Sequence, residues 1–412
     1  MKTVLVVGAG AAGLMAAGKA AEEGARVILF EKNKQPGKKI LITGNGRCNL
    51  TNEANLHEFV KSFPGNGPFL YSAFSTFSNW DLISFFSERG LEVKLERGGR
   101  FFPVTDKAAD VVAVLKKYCL EAGVEFRCGE TVEEVIIRDS HVKGVKLAGG
   151  GEEPGNAVII ATGGMSYPST GSTGDGYRMA EKAGHTIITP KPALVPLETR
   201  EDWVKGLQGL TLQNVLIKVI AAGKPVGEKS GEMLFTHFGV SGPIILTLSR
   251  TVRENLELGQ EVVLKINLKP AFTQEQLDNV ILRDFEKNRR KQLNNSLGEL
   301  LPGSLVPVII RLSNIPGDKP VHQISKRERL RLLALIQGLT ITISRSRPLR
   351  DAMVTAGGVS VKEINPKTME SKLVQGLYFA GEVIDIDGYT GGFNLQAAFS
   401  TGYVAGKAAG QM

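Results

Sequence analysis

The run Val4-Leu5-Val6-Val7, followed at once by Gly8-Ala9-Gly10-Ala11-Ala12-Gly13, limits the possible folds of this chain more than any other feature. Four consecutive apolar residues bounded by glycine read as a strand buried on both faces of a parallel sheet. A helix then runs to about Glu23, where Gly24 stops it, and Arg26 to Phe30 form a second strand that ends in Glu31. Each glycine has its own task. Gly8 permits the tight turn, Gly10 lets a pyrophosphate reach the backbone, and Gly13 lets helix and strand pack closely. The helix start offers unpaired N–H groups and the positive end of its dipole to phosphate. Glu31 is placed to accept hydrogen bonds from ribose hydroxyls and to repel a 2′-phosphate. A dinucleotide site follows, in which this unit alone does not separate FAD from NAD.

Three later segments bear on that choice. Residues 37–52, dense in Gly, Asn and Thr, leave Glu31 directly and offer backbone and amide donors with little bulk; a turn-rich surface loop is the alternative. Residues 157–164 are an apolar strand ending in a glycine turn, where doubly wound sheets place ligands. Residues 376–382 read as a strand running into a turn. Gly391-Gly392-Phe393-Asn394-Leu395-Gln396 then opens a helix of small residues.

The chain's 412 residues predict two or three domains. Pro190, Pro192 and Pro196 mark a boundary, after which 208–221, 261–268 and 339–344 alternate like strands. The expected class is α/β: a Rossmann-like dinucleotide-binding domain built from 1–192 and 350–412. A β-barrel-like insert spans 193–349 and carries a helical subdomain over about 272–338. Within that subdomain Thr273 caps a helix to about Asn294, and Ser325 to Glu328 forms a capping box leading to Gln337. In the main domain, 79–89 and 106–121 read as helices and 132–147 as a strand pair. Residues 169–176 read as a loop before a helix, with Asp175 either its N-cap or a cofactor contact.

Read together, residues 38–52, Leu234-Phe235-Thr236-His237 to Ser241-Gly242-Pro243, and Gly381-Glu382 through Gln396 resemble the BaiN/YhiN-like family of flavoproteins, within the glutathione-reductase-type FAD superfamily. The resemblance runs nearly end to end and implies non-covalently bound FAD. It assigns Gly8, Gly10, Ala11, Ala12 and Gly13 to the pyrophosphate, Glu31 and Lys32 to the adenosine end, and Val132, Ala161, Thr162 and Gly163 to the adenine pocket. Lys39, Thr43, Gly44, Asn45, Gly46 and Asn49 are implied to face the ribityl and flavin. Gly381 and Glu382 would meet ribityl and pyrophosphate, and Gly392, Phe393, Asn394 and Leu395 the flavin ring. That last placement has a rationale, since a helix N-terminus stabilises the negative charge of reduced flavin by about 0.3–2 kcal/mol.

The family is described as NAD(P)- and FAD-dependent, yet no second glycine fingerprint opens a helix; Gly149-Gly150-Gly151 reads as a hairpin turn. NAD(P)H is therefore expected as a transient donor, or another donor takes its place. The five histidines show no ligand spacing, so no metal is expected, and the redox chemistry falls to the flavin. Candidate catalytic side chains are His237, set against a plain turn histidine, Arg47, set against a surface role, and Tyr389. Cys48 reads as a buried, inert thiol. The function expected is an FAD-dependent oxidoreductase passing hydride to or from a small molecule, with reduction of an activated C=C bond as the reaction the resemblance suggests. The rivals are an FAD-dependent tRNA-modifying protein and a flavin binder without turnover. The formal charge of +8 is scattered, apart from the basic helical insert, and no stacking aromatics are interleaved with those cations. Three cysteines, no signal peptide and no membrane-length apolar run lead to a cytoplasmic expectation, and nothing in the sequence specifies an oligomer.

Overall fold

In the computed structural model, which describes residues 2–412, the opening strand Thr3–Val7 is the middle of a five-stranded sheet. The order across the sheet is Leu377–Phe379, Ala157–Ile160, Thr3–Val7, Arg26–Glu31 and Glu125–Cys128, and every pairing is parallel. Helices cover such a sheet on both faces, so its central strands are continuously apolar rather than alternating. Val4, Leu5 and Val6 are accordingly fully buried. The chain divides into two compact units, one comprising the residues up to Ala193 with Leu349–Met412, the other Leu194–Pro348.

In the first unit the opening helix Ala11–Glu22 lies against the C-terminal helix Phe393–Gln411. Their contact is made of backbone. A Cβ on Gly402 would lie 2.4 Å from the carbonyl oxygen of Ala12, and one on Gly406 2.3 Å from that of Ala16. Small residues four apart thus let the helices approach more closely than side chains allow, and the first and last segments of the unit are held side by side. A second small sheet, Thr51–Asn52, Arg100–Pro103 and Val93–Glu96, and a third, Val132–Arg138, His141–Leu147 and Glu152–Pro154, flank this core. Gly149 to Gly151 form the turn of the last hairpin, as expected. Ile187–Ala193 pairs antiparallel with Val354–Val359 where the chain leaves and re-enters the unit.

The second unit contains a closed six-stranded barrel. Its order is Leu197–Thr199, Gly239–Ser241, Lys224–Phe235, Thr211–Ala221, Val262–Asn267 and Leu339–Ser346, the last pairing back to the first. Val215, Ile217 and Val219 point inward, as do Val262, Leu264, Ile266, Leu339, Ile341 and Ile343. This is the period-two pattern that a small barrel needs to fill its interior. The helices Gln274–Lys287, Val306–Ser313 and Lys326–Gln337 share one apolar core with it through Leu277, Ile281, Ile309 and Leu332.

Local boundaries differ from the sequence reading in three places. The helix capped by Thr273 ends at Lys287, not near 294. There the buried carboxylate of Asp284 accepts from Asn288 Nδ2 at 3.1 Å and from the backbone of Leu297 at 3.2 Å, folding the chain back. The helix expected from 106 starts at Ala108, because Asp106 adopts a left-handed φ of 56°. Asp175 is not an N-cap: Gly174 holds that position, and the Asp175 side chain pairs with Lys32.

Candidate functional site

At the carboxyl edge of the parallel sheet three turns come together: those following the strands Thr3–Val7, Ala157–Ile160 and Leu377–Phe379. Gly8 has φ +100°, and a Cβ there would lie 2.7 Å from the carbonyl oxygen of Ala161. A Cβ on Gly13 would sit 1.8 Å from Gly8 O, so the helix rests directly on the turn. Gly10 differs: its φ is an ordinary −82°, and a Cβ there would meet nothing within 4 Å. Steric need inside the protein explains Gly8 and Gly13. The space over Gly10 is open, and the helix start beneath it has no side-chain cap. Unpaired N–H groups under an open glycine are the donor set that a pyrophosphate requires. Ala11 and Ala12, both buried, keep that surface small.

Glu31 is buried and held on both oxygens. Oε2 accepts from Ala9 N–H at 2.9 Å, and Oε1 from the backbone and side-chain nitrogens of Asn33 at 2.8 and 2.7 Å. Its position is thereby fixed for a ribose. Lys32, beside it, donates to Thr173 Oγ1 and Asp175 Oδ2, both at 2.5 Å. Burial pushes the Asp175 carboxyl up, but Lys32, with Thr173 and Arg178, more than offsets this and the carboxyl titrates below its usual range. Val132 is buried three residues beyond Gly129, whose N–H meets the carbonyl of Glu31 at 2.7 Å. Ala161 and Gly163 line the second turn, and between them the Thr162 hydroxyl oxygen is buried with no partner. An orphaned buried hydroxyl of this kind usually has a ligand or water to satisfy it.

The next part of the site links distant segments. Lys39 Nζ donates to Ser166 Oγ at 2.7 Å and to Glu382 Oε2 at 2.6 Å. Glu382 Oε1 also accepts from Ser166 Oγ at 2.9 Å and Thr355 N–H at 2.8 Å. Gly381 packs so closely that a Cβ would lie 2.8 Å from Ala12 Cβ. The loop through Thr43, Gly44, Asn45 and Gly46 then turns left-handed, with φ of 58° at Gly44 and 57° at Asn45, and Thr43 Oγ1 donates to Ile40 O. With its amide oriented to satisfy both neighbours, Asn49 accepts from Gly392 N–H at 3.0 Å and donates to Thr51 O at 3.1 Å. Thr51 Oγ1 donates to Gln396 at 2.7 Å, and Asn52 to the carbonyl of Gly391 at 2.9 Å. Loop 43–52 and the start of the C-terminal helix are therefore one assembly. That helix too lacks a side-chain cap. Phe393 turns its ring onto Phe59, centroids 5.1 Å apart, and Asn394 staples the preceding loop through Gly388 and Tyr389, so neither side chain caps the N–H groups of Phe393 to Leu395.

The catalytic candidates are placed differently. Tyr389 lies half-buried on the loop that Asn394 holds. His237 is exposed on a turn of the barrel unit, against Phe238. Arg47 is engaged within the protein: its three guanidinium nitrogens bond Glu96 and Asp106, and the group lies 4.2 Å over Phe102, bracing the loop. Cys48 is fully buried, and burial pushes its thiol up to about 12, so it carries no thiolate at neutral pH. Among the described residues no cluster could hold a metal, and no helix is long and apolar enough to cross a membrane. Sequence reasoning missed Asn33, Ser166, Thr355 and Gln396. Asn33 had a local signal, a short amide two residues past the acid; the others act only across the fold.

The residues present fit FAD: an open cradle over Gly10, two uncapped helix starts and a buried carboxylate, Glu31, held at the end of the second strand. A family model described as "HI0933-like protein Rossmann domain" matches residues 2–408. The chain is 32% identical over 415 residues to the 3-dehydro-bile acid delta(4,6)-reductase of Clostridium scindens, with 100% of each chain covered. It is 33% identical over 404 residues to the ribosomal RNA dihydrouridine synthase of Haemophilus influenzae, covering 97% of this chain and 96% of the relative. Among solved structures, the 3-ketosteroid delta1-dehydrogenase of Sterolibacterium denitrificans aligns over 100% of both chains with a TM-score of 0.56 and 14% identity, a likeness of fold alone. The chain thus belongs to the HI0933-like family of Rossmann-fold, FAD-binding flavoproteins.

Proposed function

We propose that this flavoprotein oxidoreductase saturates a C=C bond conjugated to a carbonyl. The observation that carries the reading is the uncapped start of the C-terminal helix, held against loop 43–52 by Asn49, Thr51 and Asn52. Bound FAD would supply hydride at this place. The protein's own part is to hold the ring through the backbone at Phe393 to Leu395 and to set positive potential beside it. Orientation and electrostatics are what it contributes there.

The relatives support this chemistry. One is named for the reduction of 4,6 double bonds in a 3-dehydro (oxo) steroid. The other makes dihydrouridine, which is uridine with its carbonyl-conjugated ring double bond saturated. The two names describe one type of step, reduction of a C=C bond conjugated to a carbonyl, directly or through a second double bond. NAD(P)H is the proposed donor, visiting transiently, because a second dinucleotide fold is absent among the described residues. A reducing, cytoplasmic setting agrees with three free cysteines. A second reading places the double bond in a uracil of RNA, and one observation favours it: the basic face of the helical subdomain.

The experiment is direct. The purified protein should show a flavin spectrum, bleach anaerobically with NADH or NADPH, and regain colour on adding a cyclic enone. A colourless protein ends the flavin assignment. Bleaching without recovery on any α,β-unsaturated carbonyl ends the C=C assignment.

A further inference from the structure

We infer that the end of the helical subdomain where the helix Gln274–Lys287 finishes and the helix Lys326–Gln337 begins is a docking face for folded RNA. Two basic runs well separated in sequence are held side by side there. Gln292 bridges Pro320, Val321 N–H donates to Lys291 O at 3.0 Å, and His322 Nδ1 donates to Arg289 O at 2.9 Å. Arg290 and Lys291 are therefore brought toward Lys326 and Arg327, with Arg331 one turn further along the same helix, and all five are exposed.

The nearby carboxylates Glu286, Glu299, Glu328 and Asp278 are already paired with Arg289, Lys287, Lys319 and Arg329. Glu299 also feels the charge of Lys291, so the excess positive charge rests chiefly on the helix side of the face. The attraction does not come from a bare helix end, since Ser325 and Glu328 cap this helix reciprocally. Lys326, Arg327 and Arg331 instead surround Leu330 and Ala334 on one exposed helix face. Arginine forks presented from a rigid helix suit phosphate oxygens bidentately. A membrane surface would call for an exposed apolar face of bulky residues beside the charges, and here that helix face offers Leu330 alone among large apolar side chains. A phosphodiester chain is the polyanion that matches.

This inference rests on the second reading above, that the double bond belongs to RNA, and its test keeps the two apart. The holoprotein, the triple variant Lys326→Gln/Arg327→Gln/Arg331→Gln and a control triple, Lys61→Gln/Lys116→Gln/Lys143→Gln, are titrated with a labelled, uridine-containing RNA stem–loop at several salt concentrations. Neutralising the face should weaken binding about 10–100-fold and reduce the salt slope by about 2–3, since each phosphate contact contributes roughly 0.7–0.9. The control should bind as the parent does. Flavin content and the rate of reoxidation by a small cyclic enone should be unchanged in both variants, which shows the fold and the flavin chemistry intact. Equal loss in both triples, or none in the first, overturns the docking face. So does tighter binding of the parent to phosphatidylserine vesicles than to RNA. Failure of enone reoxidation in the parent, with RNA binding intact, would instead strike only the proposed reaction.

Discussion

At the scale of single residues, the three fingerprint glycines answer to different constraints, and that makes them separable. Gly10 has room for a side chain and an ordinary backbone, so Gly10→Val should leave the apoprotein's melting temperature nearly unchanged. It should weaken FAD binding at least tenfold, about 1.4 kcal/mol, measured by flavin fluorescence titration. Gly13→Ala puts a methyl group 1.8 Å from a backbone oxygen and should destabilise the protein itself by about 1–3 kcal/mol or more, seen in thermal unfolding. Tyr389 is the one catalytic candidate on the loop beside the flavin-facing helix start. If its hydroxyl supplies the proton that accompanies hydride, Tyr389→Phe should lower kcat about 100-fold with little change in KM. The fingerprint and Glu31 were legible because their constraint is local: a strand, a turn and a helix adjacent in sequence. The Lys39–Glu382 pair was legible only as two family positions, because 343 residues separate them and only the closed fold brings them together. The pairing of Arg47 was hidden for a similar reason. Glu96 and Asp106 reach it from a hairpin whose packing no local pattern announces.

At the scale of elements, periodicity told most and boundaries told least. The barrel strands show in sequence as alternation, because half of each strand fills the interior. The end of the helix capped by Thr273 does not show, because a buried Asp284 terminates it, and burial of one carboxylate is not a pattern. The helix Lys326–Gln337 allows a pH test. Lys319, together with the backbone and hydroxyl of Ser325, holds the Glu328 carboxyl down at about 2, from an ordinary 4.5. A depressed carboxyl contributes stability that is complete above its unfolded value and is lost as pH falls through its folded one. The second unit should therefore lose stability between about pH 4.5 and 2. Glu328→Gln keeps the capping box but removes the charge, so it should abolish that pH-dependent component and lower stability at neutral pH by about 0.2–1 kcal/mol, as loss of a partly exposed ion pair does. Denaturant unfolding at stepped pH reads both.

At the scale of the molecule, the chain leaves and re-enters its first unit on paired strands, with Ala193 opposite Val354. Residues 194–348 form a separate compact unit with its own core. Replacing them with a short glycine–serine link should leave a folded protein that still binds FAD, because every cradle residue lies in the remaining unit. An absorbance ratio showing less than half a flavin per chain would contradict this. In the sequence the only mark of such an insert is the change of texture after Pro190, Pro192 and Pro196, because the pairing of the strands on either side of it is a contact between remote segments.

The glycine face of the C-terminal helix, seated on the backbone of Ala12 and Ala16, makes the opening helix depend on a segment remote from it in sequence. Until the two have docked, the opening helix presents an uncovered stripe of alanines and the cradle has only one of its walls.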